Sequence, residues 1–409
     1  MRSTSNATHS ARYVAMSLEA VMDNQNSREV YLDNSATTPV LPEIADRIRE
    51  VMVIQYGNPS SLHRKGVEAE LLVTEARRQI SRSLGAKEQE IIFTAGGTEA
   101  NNLALFGVVG AHSRKGKHII VSDIEHPSII ETAVRLSKRG YEVAFCPVDA
   151  SGLVDPKSLA SLVTQDTILI SIMMVNNEIG TLQPMTDLVK AVREVNPEVI
   201  FHSDCVQALG KIPLNPANIG LDLATISSHK VHGPKGVGAL YVRDKLALEG
   251  QVFGGGQERQ MRSGTENVPG IVGFGMAVEQ ACKEVDRGLE IIKSLREYLM
   301  ERLRDEGVEF AVNGDLKNSL PYIVSLGFPG VRGEVLVHFL ESQNVFVSTG
   351  SACHSRTVKI SHVLKSIDIS GPQAEGTIRI SFSTLNDKED VEILVAGLKT
   401  ALSRLKPAR

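Results

Sequence analysis

The sequence predicts an α/β protein: a large, doubly wound, mostly parallel sheet domain plus a smaller α+β domain. Three observations carry that expectation. Short apolar runs alternate with helical patterns between residues 90 and 243, as βαβ units require. Several of the runs are apolar on both faces, which suits parallel strands covered by helices on each side. After residue 270 the alternation gives way to a long helical pattern and then to mixed short elements.

In order along the chain, the candidate strands are 91–93, 118–122, 142–148, 167–175, 198–202, 221–227 and 238–242. Helical stretches lie between them near 98–110, 128–139, 156–164 and 186–195. From 270 to about 306, Ile291, Ile292, Leu295, Tyr298, Leu299 and Leu303 recur at helical spacing and face a core. Mixed strands and helices follow at 323–326, 334–342, 345–348, 377–382 and 388–405. The expected division is a flexible leader (1–27), a segment contributing to the small domain (28–34), a large ligand-binding domain (35–285) and a small domain (286–409).

Composition narrows the function. With 409 residues, 42% hydrophobic and 22% charged, the chain is globular and long enough for two domains. A net charge of -4 gives no basic footprint for nucleic acid or an anionic membrane. No apolar run reaches the length of a membrane span. Cys146, Cys205, Cys282 and Cys353 are scattered, without metal or redox spacing. A reducing compartment and at most one reactive thiol follow. Residues 1–27 are polar, with Arg2 and Arg12 and no acid before Leu18. A cytoplasmic location is expected, with organelle import through this leader as the alternative.

The chemistry starts at Lys230, in Ser227-Ser228-His229-Lys230-Val231-His232-Gly233-Pro234. A lysine at a strand end, beside hydroxyl and imidazole groups and tight turns, is placed to form a Schiff base with a carbonyl cofactor. Pyridoxal 5'-phosphate is the commonest, and needs a lysine, a phosphate cradle and an acid at its ring nitrogen. A solvated surface lysine is the plain alternative. Thr94-Ala95-Gly96-Gly97-Thr98-Glu99-Ala100-Asn101-Asn102 follows a strand and opens a helix, as a phosphate cradle or a simple capping turn would. Asp204 lies just past a strand, either facing a protonated pyridine or capping the next helix, with Gln207 three residues on. His126 also follows a strand, as a ring-stacking proton shuttle or an ordinary turn histidine. Asn177 is in reach of a ring hydroxyl. Arg379 interrupts an alternating strand, as a carboxylate clamp or a structural ion pair. Cys353 sits in the Gly- and Ser-rich run Gly350-Ser351-Ala352-Cys353-His354-Ser355. A thiol there is read as an exposed nucleophile rather than packing.

With these residues in view, the chain resembles the cysteine desulfurases of the NifS/IscS kind, pyridoxal-phosphate enzymes of transferase fold type I in the class-V aminotransferase family. The likeness runs from Tyr31-Leu32-Asp33-Asn34-Ser35-Ala36-Thr37-Thr38-Pro39 to the end of the chain. It includes Gly57-Asn58-Pro59-Ser60-Ser61 and Met261-Arg262-Ser263-Gly264-Thr265-Glu266-Asn267. The resemblance implies that Lys230 holds the cofactor and moves the Cα proton, with His126 stacked on the ring. It implies that Asp204 pairs with the ring nitrogen, and that Gln207 and Asn177 contact its oxygen side. Thr98, Ser227 and His229 would hold the phosphate, and Thr265 would reach the phosphate of a second subunit, making a homodimer. Arg379 would bind the carboxylate of L-cysteine. Cys353 would take its sulfur as a persulfide, pass it to an acceptor such as an iron–sulfur scaffold or a tRNA-thiolation enzyme, and serve as a transient iron–sulfur ligand. The Ala-Cys-His-Ser run resembles selenocysteine lyases, which makes that activity the alternative. A small-molecule aminotransferase, which has no use for Cys353, is more remote.

Overall fold

The computed structural model describes residues 28–350 and 360–405. A short strand, β1 (Val30–Tyr31), precedes seven that share one sheet. These are β2 (Ile91–Thr94), β3 (His118–Ser122), β4 (Glu142–Cys146), β5 (Thr167–Ser171), β6 (Ile200–Asp204), β7 (Leu223–Ser227) and β8 (Gly238–Val242). Their order is β2-β8-β7-β6-β5-β3-β4. Only β8 runs antiparallel to its neighbours.

Period-two alternation distributes each strand between two apolar layers. Ile92, Ile119, Val121, Leu169 and Leu240 face one layer, with Leu103 and Ile129 of the helices Gly97–His112 and Pro127–Ser137. Phe93, Ile120, Ile170, Phe201 and Tyr241 face the other, with Ile80, Leu188 and Phe274 from the helices Arg64–Ser83, Met185–Val195 and Val268–Lys283. This is the doubly wound architecture the sequence predicts.

The rest of the chain adds β9 (Ala311–Val312), β10 (Ile323–Gly327), β11 (Val345–Phe346) and β12 (Thr377–Ser381). An antiparallel sheet runs β12-β10-β9, and β1 pairs in parallel with β11. Arg28 meets Asp387 at 2.7 Å and Asp390 at 2.9 Å, fastening the start of the described chain to the region of the C-terminal helix Lys388–Leu405.

Several boundaries differ from the expected ones, for local reasons. The run 142–148 stops pairing at Cys146, because Pro147 has no N–H to give. The run 167–175 ends as a strand at Ser171. Ile172 to Val175 are apolar because they are buried, and the Met174 carbonyl instead accepts from Gln183 at 2.9 Å. The strand expected at 198–202 is Ile200–Asp204, so Asp204 ends the strand instead of following it. The long helical pattern is two helices, Val268–Lys283 and Val285–Asp305, meeting at Glu284. Two helices, Pro42–Val53 and Arg64–Ser83, were not anticipated. The second was legible in Ala69, Val73, Ala76 and Ile80, which are all buried at three- and four-residue spacing.

Candidate active site

The carboxyl ends of β2, β6 and β7 open on one side of the sheet, where ligands of doubly wound folds sit. After β2 the chain passes through Gly96, with φ 151°, into the Gly97–His112 helix. No side chain caps that helix, so its first N–H groups stay open to an anion. A Cβ on Gly238, at the start of β8, would lie 2.8 Å from the Gly96 Cα, so only glycine lets the loop sit there. The loop borders an open cavity of about 670 Å³ that Thr98, Ser227, His229 and Lys235 also line. Ser227 Oγ is buried with no hydrogen-bond partner among the described residues. An unused hydroxyl, free helical N–H groups and a lysine fit a phosphate. Burial, reinforced by Lys230 and Lys235, takes His229 down to about 4, so it faces the cavity uncharged.

Lys230 ends a single turn, Ser228–Lys230, directly after β7. Its Nζ donates to the carbonyls of Ser35 and, at 2.6 Å, Ala36. Burial and then Arg379 lower it to about 8, against the pull of Asp33 and Asp204. A lysine depressed that far holds an appreciable share of neutral, nucleophilic amine near neutral pH. Gln207 donates to the same Ser35 carbonyl at 3.0 Å, and its Oε1 accepts from Lys211 at 2.9 Å.

Asp204 is 6% exposed. Its Oδ2 accepts from Asn101 Nδ2 at 2.7 Å and its Oδ1 from the Val206 N–H at 3.0 Å. The Asn101 amide also donates to Ser128 Oγ at 2.9 Å, and that hydroxyl stands 2.7 Å from His126 Nδ1. His126 caps the Pro127–Ser137 helix, its Nδ1 accepting from the Ser128 N–H. A proton on the other ring nitrogen follows from that bond. Burial lowers the pKa of His126, partly offset by Asp204. Beside it Glu125 is fully buried and pushed up to about 8, with one oxygen unpartnered among the described residues.

Arg379, 4% exposed on β12, reaches Asp33 at 2.6 Å and the Asn177 carbonyl at 2.9 Å. Arg379 thus makes an ion pair with Asp33, and among the described residues its buried Nε has no partner. Asn177 is partly buried and its side chain makes no hydrogen bond among the described residues. Its neighbour Asn176 is spent on the turn, accepting from Glu178 and Ile179. Thr265 is exposed and does not line the cavity of its own chain. Cys353 and His354 lie outside the described residues. On either side of them, a Cβ on Gly350 would be 3.5 Å from Glu178 Oε2, and Ser361 donates to that same oxygen at 2.6 Å.

The site thus gathers Lys230, Thr98, Ser227, His229, Asp204, Gln207 and His126, with Arg379 and Asn177 joined beside them. Sequence reasoning missed Asn101, Ser128, Lys211, Asp33 and the Ser35 and Ala36 carbonyls. Asn101 stood in the glycine-loop run, one helical turn past Gly97, which was the available signal. Among the described residues, no group of His, Cys, Asp or Glu is placed to hold a metal ion.

Comparison with known proteins agrees with this geometry. Residues 30–394 match the family described as aminotransferase class-V. The cysteine desulfurase IscS of Dictyoglomus turgidum is 43% identical over 379 residues, covering 93% of this chain and 96% of that protein. A solved NifS-like protein superposes with a TM-score of 0.87 at 38% identity, over 92% of this chain and 100% of the other. A structure described as SspA in complex with cysteine has a TM-score of 0.78 at 34% identity, over 87% of this chain and 99% of that one.

Proposed function

The chain belongs to the class-V aminotransferase family and to its cysteine desulfurases, and from that premise we propose that it moves sulfur from L-cysteine to its own Cys353 with pyridoxal 5'-phosphate as cofactor. The observation that carries the reading is Lys230, with a lowered pKa, next in the chain to His229 of the anion cradle and within the field of Asp204. When bound, pyridoxal phosphate supplies an aldehyde for amine capture and an electron sink that weakens the substrate Cα–H bond.

The chain's own groups divide the remaining work. The open N–H groups after Gly96, with Thr98, Ser227 and His229, would hold the phosphate. The Asp204 carboxylate, held by Asn101, would pair with the pyridine nitrogen and keep it protonated. Lys230 offers a neutral amine, then takes and returns the Cα proton. His126 would stack on the ring, with its own proton on the nitrogen away from Ser128. Gln207 and Asn177 would contact the oxygen side of the ring, and Arg379 would orient the substrate carboxylate. The Cys353 thiolate attacks the substrate sulfur and the Cβ–S bond breaks. One cysteine and one enzyme thiol become one alanine and one enzyme persulfide, so no outside oxidant is needed.

A homodimer fits the surface. Met52, Val53, Ile54, Tyr56, Leu62 and Leu71 are all exposed within one stretch of twenty residues, more apolar surface than a lone subunit would show there. Thr265, exposed in its own chain, would then face the partner's phosphate site. The persulfide goes on to an acceptor protein, such as an iron–sulfur scaffold or a thiolation enzyme. Among the described residues no helix is long and apolar enough to cross a membrane, and a cytoplasmic location is proposed with the soluble enzyme fold in mind. The small domain is taken to comprise 28–34 and 286–409, around the 35–285 unit.

Alanine and sulfide release, assayed with L-cysteine and L-selenocysteine on the wild type and Cys353→Ser, test the reading. It predicts turnover of L-cysteine that the substitution abolishes. A wild type that ignores L-cysteine but turns over L-selenocysteine would overturn it, as would undiminished sulfur release by the variant.

A further inference from the structure

Lys211 is a buried residue of the site region that the reaction above does not use. It is 6% exposed, and no carboxylate lies within ion-pairing distance of it among the described residues. Its Nζ donates to the Gln207 Oε1 at 2.9 Å and lies 5.8 Å from the centroid of the Tyr322 ring. Desolvating an ammonium with no counter-ion is costly. Replacement by an apolar side chain would relieve that cost, so packing gives no account of a lysine here.

What Lys211 touches does. Its Nζ donates to Gln207, Gln207 Nε2 donates to the Ser35 carbonyl, and Lys230 Nζ donates to that same carbonyl. Two amines are thus joined through one amide and one carbonyl. With Nζ as the donor, the Gln207 oxygen turns toward Lys211 and its NH₂ toward Ser35. Both lysines also line a cavity of about 160 Å³, with Asn34, Tyr322 and Glu284 among its walls.

We propose that Lys211 is a positioning residue for the cofactor lysine: it fixes the orientation of the Gln207 amide, and with it the Ser35 carbonyl to which Lys230 also donates. The inference rests on the pyridoxal-phosphate reading given above. A charge on Lys230 disfavours a proton on Lys211. Burial, with Lys230 and Arg379, takes Lys211 to about 7, below the value of about 8 for Lys230, so Lys211 sheds its proton first. Charged or neutral, its Nζ keeps a hydrogen to donate to Gln207. The other charged and titratable groups facing the pair are Asp33, Asp204 and Arg379 around Lys230, and His229, His232 and Lys235 on the following turn. His126 faces Lys230 from the opposite side, and Glu284 comes from the cavity wall. None of these makes a hydrogen bond to Gln207.

The test compares wild type, Lys211→Met and Lys211→Arg, each checked for folding by thermal melting. The quantity read is the rate at which apoenzyme captures added pyridoxal phosphate at pH 7, followed by the visible absorbance band of the holoenzyme. Loss of the donor to Gln207 should slow capture about tenfold in Lys211→Met. Lys211→Arg, which keeps a donor, should restore the rate toward wild type. If Lys211→Met does not fold, Lys211→Leu takes its place with the same expectation. A variant without the donor that folds and captures the cofactor at the wild-type rate overturns the role of Lys211 alone. A wild type that develops no visible band with pyridoxal phosphate overturns the functional reading, and this inference with it.

Discussion

Asn101 and Asp204 are joined by a buried 2.7 Å hydrogen bond from amide to carboxylate. The bond ties the helix that opens at the glycine loop to the end of β6, so the phosphate cradle and the ring-facing acid are set at a fixed separation. The same amide reaches Ser128, and through it His126. One side chain thereby aligns three parts of the site.

Asn101→Ala should keep the fold and lower turnover of L-cysteine. A hydrogen bond to a charged group is worth about 1.5–3 kcal/mol. If that is felt fully in the transition state, the rate falls about tenfold to a hundredfold. Steady-state alanine production checks this, and a rate within twofold of wild type would show that Asp204 holds its position unaided.

Ser227→Ala isolates the cradle. Ser227 Oγ is buried without a partner among the described residues, so its loss strands no other group in the apoprotein. The melting temperature of apoprotein should hold or rise. Cofactor affinity should weaken about tenfold or more, the value of one hydrogen bond to a phosphate oxygen. Titration of apoprotein with pyridoxal phosphate reads the loss, and unchanged affinity would place the phosphate elsewhere.

Glu125 gives a prediction about pH. Its carboxyl accepts from Ser122 and from the Met173 N–H, and burial pushes it up to about 8. Between its ordinary value near 4.5 and about 8, the unfolded chain is ionised there and the folded chain is not. The folded state binds the extra proton, so this group's contribution is fully present at low pH and is lost as pH rises through that window. The slope is about 1.4 kcal/mol per pH unit. Glu125→Gln cannot ionise and should lack this slope. Its stability relative to wild type, from urea midpoints between pH 5 and 8.5, should therefore rise with pH. A difference that does not change with pH would mean that Glu125 is ionised in the folded protein.

Much of the sheet was legible because its strands are short apolar runs closed by turn residues. His118–Ser122 and Gly238–Val242 fall where the pattern places them. Patterns fail where burial has another cause. Ile172 to Val175 look like strand but are apolar because they lie under other chain. The candidates legible in sequence sit mostly at strand ends beside turns, as Lys230, His126 and Asp204 do, and Arg379 stood out as a cation inside an alternating strand, though its partner did not. The remainder depends on bonds between distant residues, and these leave no local trace. Lys230 and Ser35 are 195 positions apart, and Arg379 and Asp33 are 346. Lys211 carried no signal beyond being a lysine near Gln207, because its burial is set by Tyr322 and the neighbouring helix Val268–Lys283 rather than by its own sequence neighbours.

The central claim is that sulfur leaves L-cysteine through Lys230-dependent chemistry and arrives on Cys353. Mass spectrometry of peptides from holoenzyme incubated with L-cysteine and quenched without reductant tests it most directly. The account predicts the gain of one sulfur atom on the peptide containing Cys353, absent in Cys353→Ser and in Lys230→Ala. Sulfur appearing on Cys146, Cys205 or Cys282 instead, or on Cys353 in the Lys230→Ala protein, would contradict it.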